Sequence, residues 1–247
     1  MRLNSDVVSI SGATAAFADK NAGPAKAVNV SAVLLAGPDA GNYTATPPVG
    51  VTANITPASL TVSGLTANNK TYDATTAATL SGTPTLGGIL LSDVVTASGG
   101  TGTFANKNVG AAKPVTVSGI TLGGADAGNY TVTPPVGLTA NITPASLTVS
   151  GLTANSKTYD ATTGATLTGT PTLGGILLSD VVTASGGTGT FADKNVGVAK
   201  PVTVSGVTLA GADAGNYTLT PPVGLTATIT PASHASRRFP ASMRRSR

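Results

Sequence analysis

Apolar and polar residues alternate along this chain in short bursts and never settle into a helical period. In SLTVSGLT, Leu60 and Val62 share one parity and Leu65 takes the other across Gly64. KPVTVSGITL repeats the device, with Val115 and Val117 in one parity, Ile120 and Leu122 in the other, and Gly119 between them. A period of two predicts strands, and a glycine at a parity change predicts a β-bulge that flips the buried face. NYTVTPP adds Tyr130 and Val132, and GLTANITPA adds Leu138, Ala140 and Ile142. ILLSDVVTASGG and GTGTFANKNVG supply two further strands, which brings the unit to about six to eight. The apolar run at Ile89–Leu91 stops at Ser92 and Asp93, too short for a membrane helix.

The pattern recurs with a period of 87 residues, which relates Tyr43, Tyr130 and Tyr217, Asp6, Asp93 and Asp180, and Phe17, Phe104 and Phe191. Aligning 59–145 on 146–232 leaves nine differences in 87 positions, most of them exchanges that keep size or polarity, such as Ile120/Val207 and Val132/Leu219. The chain therefore divides into an N-terminally truncated repeat at 1–58, complete repeats at 59–145 and 146–232, and a tail at 233–247. Solenoid coils repeat at roughly 20–30 residues, whereas a unit near 90 suits a sandwich of about seven strands. The expected fold is all-β, as tandem immunoglobulin-like β-sandwiches, with a β-solenoid as the alternative. Prolines 57, 144 and 231 stand at junctions without a Gly/Ser linker, which predicts semi-rigid joints and a rod-like arrangement. Copies this alike are expected to exchange strands on refolding, giving some domain-swapped dimer.

Composition agrees with strands. All ten acidic residues are Asp, and 31 glycines and 16 prolines accompany abundant Thr and Val. The net charge of +4 comes from the tail, where Arg237, Arg238, Arg244, Arg245 and Arg247 leave nine basic against ten acidic residues elsewhere. A body of net charge −1, without basic stripes or interleaved aromatics, is not expected to bind nucleic acid. The chain has no cysteine, which removes disulfide and thiol chemistry and is compatible with export. The N-terminus, MRLNSDVVSISG, lacks the long apolar core of a signal peptide, so no export signal is expected in this chain. The tail, with its charge and lack of period, is expected to be disordered.

Candidate chemistry is sparse. The only histidine, His234, lies in the tail, so the repeats offer no histidine for acid–base or metal work, and no catalytic set can be assembled. GADAGNYT, at Gly124–Thr131 and Gly211–Thr218, carries one carboxylate per copy, Asp126 or Asp213. A calcium loop needs several acidic ligands, so the segment reads as a turn rather than a metal site. In that reading Asp126 accepts from nearby amides, Gly128 takes a positive φ, and Asn129 starts the strand of Tyr130. Tyr72-Asp73 and Tyr159-Asp160 read as core tyrosines whose hydroxyls meet a backbone group or a carboxylate. An amide crosslink through Lys107 and Asn108 would need a buried acid beside them, which the sequence does not place. No catalytic, cofactor-binding or metal residue is expected, and no cofactor.

Taken together, KTYDATT at Lys70 and Lys157, GTFANKNVG and GTFADKNVG, PVTVSG, GADAGNYT and the closing ITPA resemble the YDG repeat. That repeat is similar to MBG-type bacterial immunoglobulin-like domains in the stalks of filamentous-haemagglutinin-like, two-partner-secreted adhesins. The resemblance spans most of residues 1–232, with one departure: Ala74 and Ala161 stand where glycine is expected after Tyr-Asp. If that position is left-handed, alanine makes its turn costlier. The resemblance implies no enzymatic activity. It implies stalk or spacer repeats of a secreted or cell-surface adhesin, whose partners are neighbouring repeats of a longer chain and an unidentified host-cell or biofilm ligand, without membrane insertion. The alternative is that the repeats are themselves adhesive, by avidity; few aromatic or charged clusters favour the spacer.

Overall fold

The computed structural model describes residues 5–234. It is all-β, with single 3-10 turns at Ala40–Asn42, Ala127–Asn129 and Ala214–Asn216. The described residues form two compact units. One holds the chain up to Asn68 with Ala77–Ala105 and Pro114–Ala140; the other holds Asn69–Thr76, Asn106–Lys113 and the chain from Asn141 on. The units are therefore out of step with the sequence repeats, because three segments of the second repeat, the last of them 141–145, belong with the third.

In the second unit, the third repeat shows the architecture complete. A three-stranded sheet places Ala145–Ser150 between Thr172–Gly174, antiparallel, and Tyr217–Thr220, parallel. A five-stranded sheet runs Lys157–Thr158, Thr226–Thr230, Gly197–Ala210, Thr183–Phe191, Gly164–Ala165. Its backbone is the antiparallel hairpin pairing Thr183↔Ala210 through Phe191↔Val202. Phe191, Val202, Ala227 and Ile229 form a core over which Tyr159, Leu167 and Leu225 close. Long antiparallel pairs of this kind exclude the stacked parallel coils of a solenoid.

In the first unit, Ala58–Ser63 lies between Thr85–Gly87 and Tyr130–Thr133, and its Val62 packs against Val117 and Ile120 of the hairpin Thr96↔Gly123 to Phe104↔Val115. Two sheets thus face each other across one apolar layer, a β-sandwich. The first repeat pairs Ser9–Phe17, Gly23–Ala36 and Thr52–Ile55. Its apolar positions are open, with Ile10 70% and Phe17 42% exposed, whereas Phe104, one period later, is 1% exposed.

Four expectations need correcting. ILLSDVV is not a strand. Asp93 N donates to Leu90 O in a turn, Leu91 sits at φ 52°, and the strand runs instead as Thr96–Phe104, merging two predicted strands. The parity change at Gly119 is real, since Val117 and Ile120 are both buried, yet no extra residue is inserted. Gly100 and Gly119 both take positive φ, and the register resumes unshifted at Thr101↔Ser118. Gly64, likewise, ends one strand rather than bulging it: the next, Thr66–Ala67, pairs in a different sheet with Leu80–Ser81. The third repeat contains more strands than expected because several are only two residues long. Of the tail predicted at 233–247, residues 235–247 lie outside the described residues.

Candidate functional site

The repeated motifs converge on one constellation, most complete in the second unit. Asp180, in the turn after Leu177, has its side chain 1% exposed. Its Oδ2 accepts from the hydroxyls of Tyr217 and Tyr72, both at 2.7 Å, and its Oδ1 accepts from Lys107 Nζ. Lys107 also pairs with Asp213 Oδ1 at 2.9 Å, and the other oxygen of Asp213 accepts from Val181 N at 3.0 Å. Tyr72 and Tyr217 meet edge to face with centroids 5.3 Å apart, and Lys107 stands 5.9 Å from the Tyr72 ring centroid. Asn216 completes the set. Its Oδ1 accepts from Val109 N at 2.9 Å and its Nδ2 donates to Asn108 Oδ1 at 3.3 Å. Lys107, Asn108 and Tyr72 come from the second repeat, and Asp180, Asp213, Asn216 and Tyr217 from the third.

Local structure explains the placement. Gly211 at φ 115° and the turn Ala214–Asn216 hold Asp213 and Asn216 on one side, and Tyr217 opens the following strand. A Cβ at Gly211 would stand 2.2 Å from Val181 O, so only glycine lets the loop lie against the Asp180 turn. The segment is thus a turn, but not as sketched from sequence. The positive φ falls on Gly124 and Gly211 rather than Gly128, the strands begin at Tyr130 and Tyr217, and Asp126 accepts from Val94, 32 residues away. Sequence reasoning had no means to see that remote amide, since the Asx-type contact it assumed is local.

The electrostatics are those of a closed ion-pair network. Burial opposes ionisation of Asp180, but hydrogen bonds from Lys107, Tyr72 and Tyr217 outweigh it and hold its carboxyl below the usual range. Asp213 is lowered too, by the Val181 amide and then Lys107. Lys107 is pushed well up by Asp180 and Asp213. Burial, reinforced by the Asp180 carboxylate, raises the Tyr217 hydroxyl to about 12.

The first unit repeats the arrangement one period earlier. Lys20 pairs with Asp93 and, at 2.8 Å, with Asp126, Tyr130 donates to Asp93 Oδ2 at 2.8 Å, and Asn129 Oδ1 accepts from Ala22 N at 2.8 Å. The counterpart of Tyr72 would fall before the first residue of the sequence given. Here the Asp93 side chain is 10% exposed and Lys20 61%, against 1% and 34% for Asp180 and Lys107.

The other sequence candidates fall into place around this centre. The Tyr72 hydroxyl meets a carboxylate, as expected, while Tyr159 packs on the core of its own repeat. Asp73 and Asp160 close their own turns: Asp160 accepts from Thr162 N at 2.9 Å and Lys157 Nζ at 2.8 Å, and these contacts, the lysine's first, bring it down to about 2. The alanines that follow, Ala74 at φ 61° and Ala161 at φ 65°, occupy left-handed backbone. Lys107 and Asn108 have different partners: the structure places a buried acid, Asp180, beside Lys107, while Asn108 Oδ1 accepts from Asn216 Nδ2. Among the described residues no group of three or more His, Cys, Asp or Glu is placed to hold a metal ion. The role of the KN pair in GTFANKNVG escaped sequence reasoning; its signal was its recurrence as Lys20-Asn21, Lys107-Asn108 and Lys194-Asn195.

The YDG domain family matches the chain three times, at residues 2–50, 56–137 and 143–224, and the chain belongs to that family. No curated protein and no solved structure matches it.

Proposed function

We propose that this chain is a run of structural spacer repeats from a bacterial surface or secreted adhesin of the filamentous-haemagglutinin-like kind, extending a binding region away from the cell. The observation that carries this reading is where the recurrent polar residues are spent. Lys107, Asn108 and Tyr72 of one repeat are consumed by Asp180, Asp213, Asn216 and Tyr217 of the next. Motifs that bound an external ligand would instead keep their donors and acceptors turned to solvent, and hot spots would draw on Trp, Tyr and Arg, which are few here. An acid whose two oxygens are already taken by an ammonium and a backbone amide, as in Asp126 and Asp213, has little left for a cation.

The test is direct attachment. The purified chain, coupled to beads, is presented to erythrocytes and epithelial cells beside an unrelated β-sandwich on the same beads. A spacer gives attachment no higher than the control. Attachment above it would make the repeats themselves adhesive and overturn the proposal.

A further inference from the structure

The constellation around Asp180 holds the parts of an amide-forming site. Lys107 brings a primary amine to Asp180 Oδ1, one bond from the carboxyl carbon. The other oxygen, Oδ2, accepts from two phenols, Tyr217 and Tyr72, each at 2.7 Å. Burial holds both hydroxyls above their usual range, so each keeps its proton and remains a donor. Two donors fixed on one carboxyl oxygen stabilise the negative charge that gathers there when an amine adds to the carbon.

Asp213 is a second carboxylate on the same ammonium. Its Oδ1 lies 2.9 Å from Lys107 Nζ, and its Oδ2 is held by Val181 N at 3.0 Å. It is placed to take a proton from the attacking nitrogen and return it to the oxygen that leaves. The Asp180 side chain is 1% exposed. A carboxylate kept out of water is costly even when paired, and a neutral amide in its place removes that cost.

We propose that Lys107 and Asp180 condense to an amide, with Asp213 as the proton-transfer group and the Tyr72 and Tyr217 hydroxyls as donors to the oxyanion. The ion pair is the state from which the reaction starts. Lys107 Nζ first passes one proton to Asp180 Oδ1, which leaves a neutral amine beside a neutral acid. The amine adds to Asp180 Cγ, and Oδ2 takes up the negative charge between the two phenols. Asp213 then moves a second proton from the nitrogen to Oδ1. The Cγ–Oδ1 bond breaks, water departs, and the Oδ2 electron pair restores the carbonyl. One ammonium and one carboxylate have become an amide and a water, and Asp213 ends as a carboxylate.

The link would join residues 73 positions apart and remove the chain between them from what a pull along the backbone can extend. It does not rest on the spacer reading, because the chemistry needs only this cluster. In the first unit Lys20 pairs with Asp93 and Asp126 in the same way, but the Lys20 side chain is 61% exposed and that of Asp93 10%. Water keeps that ammonium charged, and the pair is expected to stay ionic.

The test is the intact mass of the purified chain, kept folded for several days at neutral pH and then denatured. It is expected to be lighter by one water, and a tryptic digest to contain one branched peptide joining Lys107 to Asp180. Lys107→Arg keeps a cation beside both carboxylates but has no amine to add to the carbon, so it should show the full mass of its sequence. Asp213→Asn, with its fold checked by circular dichroism, should form the link about a hundredfold more slowly. A native chain of full mass, a water lost anywhere but between Lys107 and Asp180, or a loss that persists in Lys107→Arg would each overturn the proposal. An unchanged rate in Asp213→Asn would overturn the role given to Asp213.

Discussion

Lys107 Nζ lies 2.9 Å from Asp213 Oδ1, and one period earlier Lys20 Nζ lies 2.8 Å from Asp126 Oδ1. Each lysine spans two carboxylates that the sequence places 33 residues apart, Asp180 with Asp213 and Asp93 with Asp126. One ammonium thereby offsets two like charges that would otherwise repel across a turn and a loop.

Removing that ammonium leaves the carboxylates uncompensated. Lys107→Met should destabilise the second unit, because it leaves the buried Asp180 carboxylate without its ammonium. Lys20→Met, whose partner Asp93 is more open to water, should cost less. Urea denaturation followed by circular dichroism measures both, and equal losses would contradict the role assigned to burial of Asp180.

Ala74 and Ala161 sit in left-handed backbone, which an L-residue enters at a cost of about 1 kcal/mol. Ala74→Gly and Ala161→Gly should therefore each stabilise the protein by up to about 1 kcal/mol, less what glycine loses in the unfolded chain. A rise in thermal midpoint for both checks this.

Gly124→Ala and Gly211→Ala act in the opposite sense. A Cβ would meet Val94 O at 2.3 Å or Val181 O at 2.2 Å, and both atoms are backbone. Each substitution should cost about 2 kcal/mol or more and loosen the Asp126 or Asp213 loop. Hydrogen exchange at Val94 N and Val181 N, which donate to those carboxylates, reports the loosening locally.

Stability should fall at both ends of the pH scale. Asp93, Asp126, Asp180 and Asp213 titrate below their unfolded values, so their contribution is present above about pH 4 and is lost as pH falls through the folded values. Tyr217 is raised to about 12, so its contribution is intact below about pH 10 and disappears as pH climbs toward 12. Denaturation midpoints measured from pH 2 to 12 should show a plateau with both shoulders, and Tyr217→Phe should flatten the alkaline one.

The sandwich was legible because its strands bury alternate residues: Val115, Val117 and Ile120 are inside, as parity required, and the face changes at Gly119. The 87-residue period was legible because nothing interrupts it. What sequence did not convey was Asp93. An apolar run, ILLSDVV, reads as a strand, and only the remote partners Lys20, Asp126 and Tyr130 show why the backbone turns there instead. The Lys-Asn pair was equally opaque, for its partners lie 73 residues or more along the chain, beyond any local pattern. The left-handed turn after Tyr-Asp was legible through the glycine expected there.

The compact units are offset from the repeats because Asn69–Thr76 and Asn106–Lys113 belong with residues of the following repeat. Every complete copy therefore carries both halves of the Lys–Asp contact, the donor for its successor and the acceptor for its predecessor. Unequal crossing-over between such genes adds or deletes 87 residues at a time, and each new seam inherits a matched donor and acceptor whichever copies recombine. The number of repeats can then change without any compensating substitution at the point of exchange.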